Sequence, residues 1–494
     1  MRAVVCGGGL GGIAAALRLR ARGYEVTLVE RNQHLGGRAR VLERGGFRHD
    51  AGPTVVTAPF LFEELFELFD ERLEDHVQLV PLEPWYRFEF PDGDHFDYGG
   101  TVEQTKAEIA RISPPDVEGY DRLLAHSRRI FDVGFTELAD EPFHRFGTMA
   151  KQVPRLLDLR SDRTVWQFVS RYLQHPKLRW AFSIQPLLVG GNPFDTTSIY
   201  SLIHHVEREW GIHFAMGGTG ALVAALAELM ERQGVRIELG RTVESIAVES
   251  GVARGVVLEG GERLEADITV SNADAAYLHG SMVPQEARSL ASRMKLRSAH
   301  FSMGLFVLFF GTERQYPDVV HHTIWFGKRY RELLEEIFDA KTLAEDFSLY
   351  VHRPTATDPS FAPEGKDSFY VLCPVPNLQG DVDWSVEGPA LRDRIVEALD
   401  RSMLPGLKET ITEDFYMTPE DFRDDYLSVH GAGFSVAPIF RQSAWFRFHN
   451  RAEGVENLYL VGAGTHPGAG MPGVLCSAKV VDRLVAEAEV HAPC

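Results

Sequence analysis

The spacing of apolar residues at the start of the chain predicts a strand, a helix and a second strand in close succession. Ala3–Cys6 is a short β-branched run of the kind found in buried strands. Ile13–Arg22 contains helix-forming residues and is followed by Gly23, a common helix terminator. Glu25–Glu30 then predicts the second strand. Strand, helix and strand in this order indicate a parallel sheet of the α/β class.

The turn between the first strand and the helix is built from glycines. Gly7, Gly9 and Gly12 match the pattern G-x-G-x-x-G, and Glu30 lies eighteen residues beyond Gly12. In this pattern the first glycine permits a tight turn, the second lets a pyrophosphate approach the backbone, and the third lets the helix pack closely on the sheet. The helix N-terminus offers free N–H groups to the phosphates, and an acid at Glu30 suits a free ribose hydroxyl. The pattern therefore predicts a dinucleotide site.

Segments far along the chain predict more of the same unit. Gly217–Gly220 precedes an amphipathic helix, Ala221–Gln233, and strands are predicted at residues 234–240, 242–248, 255–258 and 266–270. Asn457–Val461 predicts a further strand, which a glycine-rich stretch connects to a helix at Ser477–Val490. Pro472–Val474 lies about where that helix begins, so its free N–H groups would face a cofactor. The two ends of the chain would then hold one cofactor between them, which requires a discontinuous domain.

A second glycine pair follows the dinucleotide motif. Gly36, Gly37 and Arg38 come soon after Glu30 and are followed by Asp50–Thr54. These residues resemble the FAD-dependent amine oxidase and carotenoid desaturase superfamily, in which the segment matching 36–38 curls under the flavin nucleotide. The alternative is an ordinary Gly-Gly hairpin. In that superfamily the residue matching Val243 pairs its backbone with the adenine. The residues predicted to bind FAD are Gly7, Gly9, Gly12, Glu30, Gly36, Gly37, Arg38, Gly52, Pro53, Thr54, Val243, Asn272, Gly462, Gly464, Met471 and Val474.

The resemblance covers nearly the whole chain and is most specific to the bacterial-type phytoene desaturases. The matching segments are Asp50–Val56, Leu187–Phe194, Ser198–Ile203, Glu209–Gly211, Ala344–Tyr350, Ser443–Phe446 and Gly462–Gly470. Amine-oxidising relatives usually place an acidic residue in the last of these segments to hold the ribityl chain. This chain has Ala463-Gly464 instead, as carotenoid desaturases do. The departure argues against amine oxidation and leaves the ribityl contact to backbone or water.

The resemblance implies a reaction and a substrate. It implies FAD-dependent desaturation of phytoene to lycopene, by successive hydride and proton removals, in carotenoid biosynthesis. Allylic carbons are very weak acids, so proton loss becomes accessible only as a flavin accepts hydride. A quinone or oxygen would be the terminal electron acceptor. Two alternatives stay open: a related carotenoid oxidoreductase acting on a hydroxylated or shorter polyene, and a non-catalytic flavin-fold protein resembling the Rab escort proteins.

The sequence does not identify a catalytic base. His466 neighbours the predicted flavin motif, and a structural role is its alternative. Lys151 and Arg155 could polarise a second redox partner such as a quinone. His204-His205 and His321-His322 are adjacent pairs, without the i, i+4 spacing of helical metal ligands. No metal site is therefore predicted.

Composition narrows the class of protein. The chain has 494 residues, 44% of them hydrophobic, and a formal net charge of −19. Its length predicts about three domain-sized units. The acidic balance argues against a general nucleic-acid binder. No run reaches the roughly 18 apolar residues that span a bilayer, and no secretory signal is visible. The cysteines lie far apart, which fits a reducing compartment, and they are Cys6, Cys373, Cys476 and Cys494.

We expect an α/β protein with a Rossmann-like, discontinuous FAD-binding domain, a mixed-sheet substrate domain and a helical, membrane-facing segment. The predicted FAD domain comprises residues 1–80, 200–290 and 440–494. The predicted substrate domain comprises residues 81–130 and 291–439. Its strands are expected at Arg87–Phe90, His95–Tyr98, Phe301–Phe310 and Ser368–Val375. Residues 131–199 form the predicted helical segment.

One stretch of this acidic chain is basic. Arg145–Arg179 holds eight Lys or Arg and two Asp or Glu, a net charge of +6, interleaved with apolar and aromatic residues. Such a mixture is typical of a helix that lies on anionic lipid, and its alternative is a helical lid with a solvated basic face. Since phytoene resides in membranes, the sequence predicts a peripheral protein on the cytoplasmic side of the cell membrane.

Overall fold

The strands of the protein gather into two large sheets and several small ones. The computed structural model describes residues 1–491. Its strands are β1 (Arg2–Cys6), β2 (Glu25–Val29), β3 (Val41–Arg44), β4 (Phe47–Asp50), β5 (Leu79–Pro81), β6 (Tyr86–Glu89), β7 (His95–Tyr98), β8 (His213–Ala215), β9 (Arg236–Glu238), β10 (Val243–Glu249), β11 (Val252–Leu258), β12 (Arg263–Glu265), β13 (Ile268–Ser271), β14 (Gly304–Thr312), β15 (His322–Trp325), β16 (Leu349–His352), β17 (Asp367–Val375), β18 (Ile411–Met417) and β19 (Leu458–Leu460).

Helices cover these sheets and fill the connections between them. They are α1 (Leu10–Ala21), α2 (Phe60–Glu67), α3 (Val102–Ile112), α4 (Val117–Phe131), α5 (Phe146–Asp158), α6 (Val165–Tyr172), α7 (Pro176–Ser183), α8 (Ile203–Trp210), α9 (Thr219–Arg232), α10 (Ala275–Tyr277), α11 (Leu290–Ser298), α12 (Arg331–Glu335), α13 (Trp384–Arg401), α14 (Leu407–Thr410), α15 (Pro419–Tyr426) and α16 (Met471–His491). None of the described helices is both long enough and apolar enough to cross a bilayer.

The first large sheet is parallel and joins strands from distant parts of the chain. Its strand order is β19-β13-β1-β2-β9 within residues 1–491. Val5 lies opposite Leu28 on one side and Val270 on the other, and Val270 in turn lies opposite Tyr459. These strands are short and rich in branched apolar residues, as expected of a parallel sheet covered on both faces. Helices α1 and α16 cover one face, and strands β10 and β11 cover the other. Helices α1 and α16 pack against each other on this sheet.

Two helices of this unit begin within glycine- or proline-containing segments. Helix α1 begins at Leu10, three residues before the predicted Ile13, so Gly11 and Gly12 belong to its first turn. Helix α16 begins at Met471, next to Pro472–Val474, where the sequence predicts its start. Both segments contain glycine or proline, which ordinarily indicate a loop. The first turn of a helix accepts these residues because its N–H groups have no partner within the helix.

The second large sheet is mixed and holds the strands predicted for the substrate side. Its order is β18-β14-β17-β16-β15-β6-β7 among the described residues. Strand β14 is buried along its whole length and pairs with β17 and β18. The pairing of β15 with β6 is parallel, and the other pairings are antiparallel. The mixed α/β architecture is thus confirmed, and the domain limits stay predictions.

The predicted helical segment divides into an embedded part and an exposed part. Helices α6 and α7 bury Phe168 and Phe182 in the same apolar core as Phe88 and Phe96 of the mixed sheet. Helix α5 buries only Met149 among its residues. Of the apolar residues in the basic stretch, those after α5 therefore serve the core rather than a surface.

A buried carboxylate connects the two large sheets. Asp50, at the end of β4, accepts hydrogen bonds through Oδ1 from the N–H and hydroxyl of Thr219, at the start of α9. Its Oδ2 lies 3.3 Å from Nε2 of His352, at the end of β16. All three residues are buried. One side chain thus holds a helix of the parallel sheet and a strand of the mixed sheet in fixed positions.

The cysteines of the described residues are not engaged in chemistry. Cys6, Cys373 and Cys476 are buried and free. Burial raises the pKa of each thiol to about 12, which keeps all three protonated and unreactive. Cys494 lies outside the described residues.

Candidate cofactor and substrate site

One continuous cavity runs from the glycine-rich turn after β1 to the segment 440–444. Most of the residues predicted to bind the cofactor line it, although they come from six separate stretches of chain. These are Gly7, Gly9, Glu30, Gly36, Gly37, Arg38, Gly52, Pro53, Thr54, Val243, Asn272, Gly462, Met471 and Val474. The structure thus brings the predicted set together, and the contact that each residue makes with a cofactor stays a prediction.

Gly12 and Gly464 lie behind the cavity wall rather than on it. A Cβ on Gly12 would lie 2.0 Å from the carbonyl oxygen of Gly7, so only glycine lets α1 approach the turn. A Cβ on Gly464 would lie 2.7 Å from Cβ of Ala275, in α10. For Gly12, the close packing expected of the third glycine is present. Both residues shape the wall without facing the cavity.

The carboxylate of Glu30 is fixed by backbone donors. Oε2 accepts from the N–H of Gly8 at 2.7 Å, and Oε1 accepts from the N–H of Asn32 at 2.8 Å. The residue before α1, Gly9, provides no side-chain cap, so the first N–H groups of the helix have no side-chain acceptor there. An uncapped helix N-terminus beside a fixed carboxylate suits a pyrophosphate and the adjacent ribose.

The second glycine pair closes over the first glycine turn. The N–H of Gly36 donates to the carbonyl of Gly8 at 2.7 Å. Gly36 and Gly37 both have positive φ, at 103° and 56°. The β3–β4 hairpin begins only at Val41, so the pair is not an ordinary Gly-Gly hairpin turn. Its contact with the turn after β1 explains why the two glycine motifs occur together.

A buried arginine, which the sequence did not predict, supports the C-terminal wall. The guanidinium of Arg447 donates to the carbonyls of Thr465 at 3.0 Å, Ala463 at 2.7 Å and Val436 at 3.1 Å. Burial lowers the pKa of Arg447. These bonds hold the loop that leads into α16. The signal in the sequence was its position directly after the Ser443–Phe446 segment.

His466 lines the cavity but is held as a structural residue. Its Nε2 lies 2.8 Å from the carbonyl oxygen of Leu138, and its ring meets Phe143 edge-on. Burial lowers the pKa of His466 to about 4, so the imidazole is neutral at physiological pH. Because Nε2 must carry the proton to make this bond, the ring orientation is fixed. The observed contacts favour the structural alternative for His466.

Lys151 does not reach the cavity. It is exposed on α5, and the residues of this helix that line the cavity are Met149 and Leu156. Arg155 is also exposed and pairs with Glu137. The periodicity of the helix explains the result, because a residue two positions from Met149 faces another direction. A direct catalytic contact by Lys151 is therefore not supported.

The structure adds a buried carboxyl to the cavity wall. Glu207, in α8, is almost wholly buried, and no described residue makes a well-formed hydrogen bond to either of its oxygens. Burial raises the pKa of Glu207 to about 8, against the opposing effect of Arg208 and the hydroxyls of Tyr98 and Tyr86. A carboxyl whose pKa lies near physiological pH is suited to proton transfer.

Little in the sequence indicates a role for Glu207. Glu207 belongs to an amphipathic helix in which it follows His204-His205 and precedes the matched segment Glu209–Gly211. An acid in such a helix is ordinarily exposed. Only the packing of α8 against the cavity turns Glu207 inward.

These features define a class of α/β oxidoreductases that hold a dinucleotide between the ends of the chain and a substrate against a second sheet. The uncapped start of α1, the glycine approach at Gly9 and the continuous cavity fit a flavin dinucleotide. The model of the family "Flavin containing amine oxidoreductase" matches residues 10–481. The chain belongs to this family, and its cofactor is FAD.

Relatives and solved structures agree with this assignment. The chain is 46% identical over 484 residues to a phytoene desaturase (lycopene-forming) of Pantoea ananas, covering 98% of each chain. It is 44% identical over 493 residues to a phytoene desaturase (neurosporene-forming) of Rhodobacter capsulatus, covering 99% of this chain and 94% of that one. Cyclohexylamine oxidase from Brevibacterium oxydans shares the fold, with a TM-score of 0.64 and 16% identity over 99% of both chains. The resemblance to bacterial phytoene desaturases is confirmed.

We expect Gly12→Ala to remove bound FAD. The new Cβ would collide with the carbonyl of Gly7, and relief of such overpacking costs about 1–3 kcal/mol, which corresponds to a roughly 5- to 150-fold loss of affinity. The ratio of flavin to protein absorbance in the purified protein measures this loss. Gly280→Ala is the matched control, because nothing lies within 4 Å of its added Cβ. Equal flavin content in the two variants would contradict the role given to Gly12.

We expect Glu207→Gln to be more stable than the wild type at high pH by a larger margin than at low pH. The folded protein keeps the proton of Glu207 up to about pH 8, whereas the unfolded chain releases it near pH 4.5. As the pH rises between these two values, the contribution of Glu207 to the free energy of unfolding of the wild type decreases, and it stays low at higher pH. Glutamine does not titrate, so the difference in unfolding free energy should grow by a few kcal/mol from pH 5 to pH 8.5. Thermal or urea unfolding at both pH values tests this, and a difference independent of pH would refute it.

Proposed function

We propose that this protein is an FAD-dependent phytoene desaturase that forms lycopene at a membrane surface. The observation that carries the proposal is the 46% identity, over 98% of both chains, to a relative described as a lycopene-forming phytoene desaturase. The cavity supports it, because apolar residues of helical segments and of the mixed sheet continue its wall beyond the cofactor end. Examples are Leu187, Leu202, Ile324, Leu349 and Leu372. Such a wall suits a hydrocarbon, which offers no polar group for recognition.

The residues of the chain divide the chemistry between binding and proton transfer. Bound FAD supplies a hydride acceptor for the allylic C–H bond of the substrate. The apolar wall positions the polyene and excludes water, which protects an electron-deficient carbon from hydration. Glu207 then takes the proton from the neighbouring carbon. Its pKa of about 8 leaves a fraction of the carboxyl ionised at neutral pH.

Other acids of the cavity wall are less suited to this step. The oxygens of Glu30 accept from the N–H groups of Gly8 and Asn32, at the dinucleotide end. Asp425 is exposed and lies beside Arg40. Of the carboxyl groups on the described wall, Glu207 alone is both buried and without a well-formed hydrogen bond.

We expect cells that make phytoene to accumulate lycopene when they also make this protein. Chromatography of the pigments shows the number of double bonds introduced, and neurosporene as the end product would correct the proposal. Glu207→Gln should slow pigment formation roughly a hundredfold while the purified variant keeps its flavin, as expected when a proton acceptor is removed. Unchanged rates would exclude Glu207 as the acceptor. A yellow protein that converts no polyene would overturn the enzymatic proposal itself.

The rim of the cavity supports membrane attachment. Phe146 and Leu157 of α5 are 60% and 55% exposed, while Met149 and Leu156 of the same helix line the cavity. Phe440 also lines the cavity and is exposed. Exposed phenylalanine and leucine side chains next to residues that line the cavity are expected to enter the interfacial region of a bilayer. A hydrocarbon could then pass from lipid to cavity without crossing water.

A second helix extends the apolar rim. Leu290 and Met294 of α11 are 75% and 62% exposed. Lys295 of this helix donates to the carbonyl of Trp445, whose ring meets Phe146 edge-on at 5.2 Å between centroids. Helices α5 and α11 and the segment 440–446 therefore adjoin, and we call them the apolar rim. A quinone dissolved in the same bilayer could reach the flavin site by this route.

Charge contributes less to this surface than the sequence suggested. Arg155 pairs with Glu137, and Lys177 pairs with Asp92 and Asp94. The acids of neighbouring segments thus offset part of the +6 of residues 145–179. The exposed apolar area is accordingly the main argument for membrane binding, and attraction to anionic lipid is secondary.

We expect the double variant F146D/L157D to lose binding to liposomes. Each substitution places a charge where an apolar side chain would enter the bilayer, so co-sedimentation should fall at least about tenfold. Val386→Asp is the control, because Val386 is equally exposed on α13, which does not line the cavity. Flavin content confirms that the variants are folded. Equal sedimentation of the double variant and the control would refute attachment through the apolar rim.

A further inference from the structure

Three buried histidines converge at the start of β15 and the end of β16. His322 lies opposite His352 in the antiparallel pairing of these strands, and His321 directly precedes β15. We call His321, His322 and His352 the histidine cluster. One ring nitrogen of each lies within 4.8 Å of those of the other two. The cluster does not line the cavity described above, so the flavin site leaves it unexplained.

Each ring of the cluster has one nitrogen that is held from outside. His321 Nδ1 lies 2.7 Å from Oγ1 of Thr357, and His322 Nδ1 lies 2.7 Å from the hydroxyl of Tyr350. His352 Nε2 lies 3.3 Å from Oδ2 of Asp50. A carboxylate, a tyrosine hydroxyl and a threonine hydroxyl are therefore the outer partners. Metal-binding histidines have outer partners of this kind, which set the tautomer and the direction of the ring.

The second nitrogen of each ring is buried without a hydrogen-bond partner among the described residues. These atoms are His321 Nε2, His322 Nε2 and His352 Nδ1. The carboxylate of Asp50 can only accept, so the proton of His352 belongs on Nε2 and Nδ1 is left as a bare lone pair. If the other two rings also donate outward, three lone pairs face one another in a space closed to solvent. A cation bound between them removes the repulsion between the lone pairs and gives each nitrogen a partner.

We propose that the histidine cluster binds a divalent transition-metal ion, and that Zn²⁺ is its natural occupant. Three neutral imidazoles without thiolate form a donor set that suits zinc, and Zn–N bonds of about 2.0–2.1 Å bring ligand atoms to roughly 3.4 Å from one another. Modest rotation of the rings within the 4.8 Å limit achieves this. A water molecule completes the tetrahedron, because Asp50 is already held at the outer nitrogen of His352.

The position of the cluster indicates a structural role for the metal. Asp50 connects the cluster to the start of α9, and Tyr350 connects it to Thr54 on the cavity wall. A metal at this point would fix β15 and β16 relative to both contacts. The expectation of no metal rested on the spacing of histidines along the chain, and the third ligand comes from a strand thirty residues later. The proposal replaces that expectation and does not depend on the proposed substrate.

The metal content of the flavin-loaded protein tests the proposal. After incubation with ZnSO₄ and removal of unbound ions by gel filtration, we expect about one zinc per chain by mass spectrometry, and a higher melting temperature than after treatment with EDTA. His352→Gln should lose the zinc. His204→Gln is the matched control, since His204 is also buried but lies outside the cluster, and it should keep the zinc.

Cobalt provides a second readout on the unaltered protein. Co²⁺ in a tetrahedral nitrogen site gives visible bands that Zn²⁺ then displaces, and the difference spectrum of the flavin-loaded protein before and after zinc isolates them from the flavin. These bands keep the proposal testable if His352→Gln fails to fold. Zinc below about a tenth of an equivalent in folded wild type, with no change of melting temperature on adding metal, would overturn it. Equal zinc in wild type and His352→Gln would also overturn it, because the ion would then bind elsewhere.

Discussion

The architecture depends on the pairing of β13 between β1 and β19. These three parallel strands come from the beginning, the middle and the end of the described chain. Each is followed at its carboxyl end by a residue that lines the cavity, with Gly7 after β1, Asn272 after β13 and Gly462 after β19. Parallel strands bring their carboxyl ends to one edge of a sheet, where ligands of open α/β sheets bind. The cofactor site is therefore a product of strand register rather than of any single segment.

A second constraint is the contact between the parallel and the mixed sheet. If only apolar side chains joined them, the two sheets could slide past each other, because dispersion forces have little directional preference. Asp50 supplies direction, because one carboxylate serves both Thr219 and His352. Arg447 plays a corresponding role near the end of the chain, where a buried guanidinium meets several carbonyls of the loop before α16. Buried charges of this kind add little net stability but penalise any arrangement that leaves them unpaired.

The sequence predicts what is encoded locally. The glycine turn, Glu30 and the strands of both sheets follow from short motifs and periodicity, and the family resemblance extends these to the other glycine segments. What depends on long-range register could not be predicted. Glu207 turns inward only through the packing of α8, and His352 meets His321 and His322 only through the β15–β16 pairing. Lys151 shows the converse, since a basic stretch in the sequence does not reveal which face of α5 it occupies.

The wide separation of the paired strands also orders events during synthesis. Strand β1 is synthesised first, and β19, which pairs with the other edge of β13, follows about 450 residues later. At roughly 5–20 residues per second, this interval lasts roughly 20 to 90 s. Over that interval the apolar edges of β1 and β13 lack part of their cover. Because Met471 and Val474 of α16 line the cavity, FAD cannot be enclosed until this helix has been synthesised. A chain that stops before β19 therefore leaves one edge of β13 without its partner and lacks part of the cofactor site.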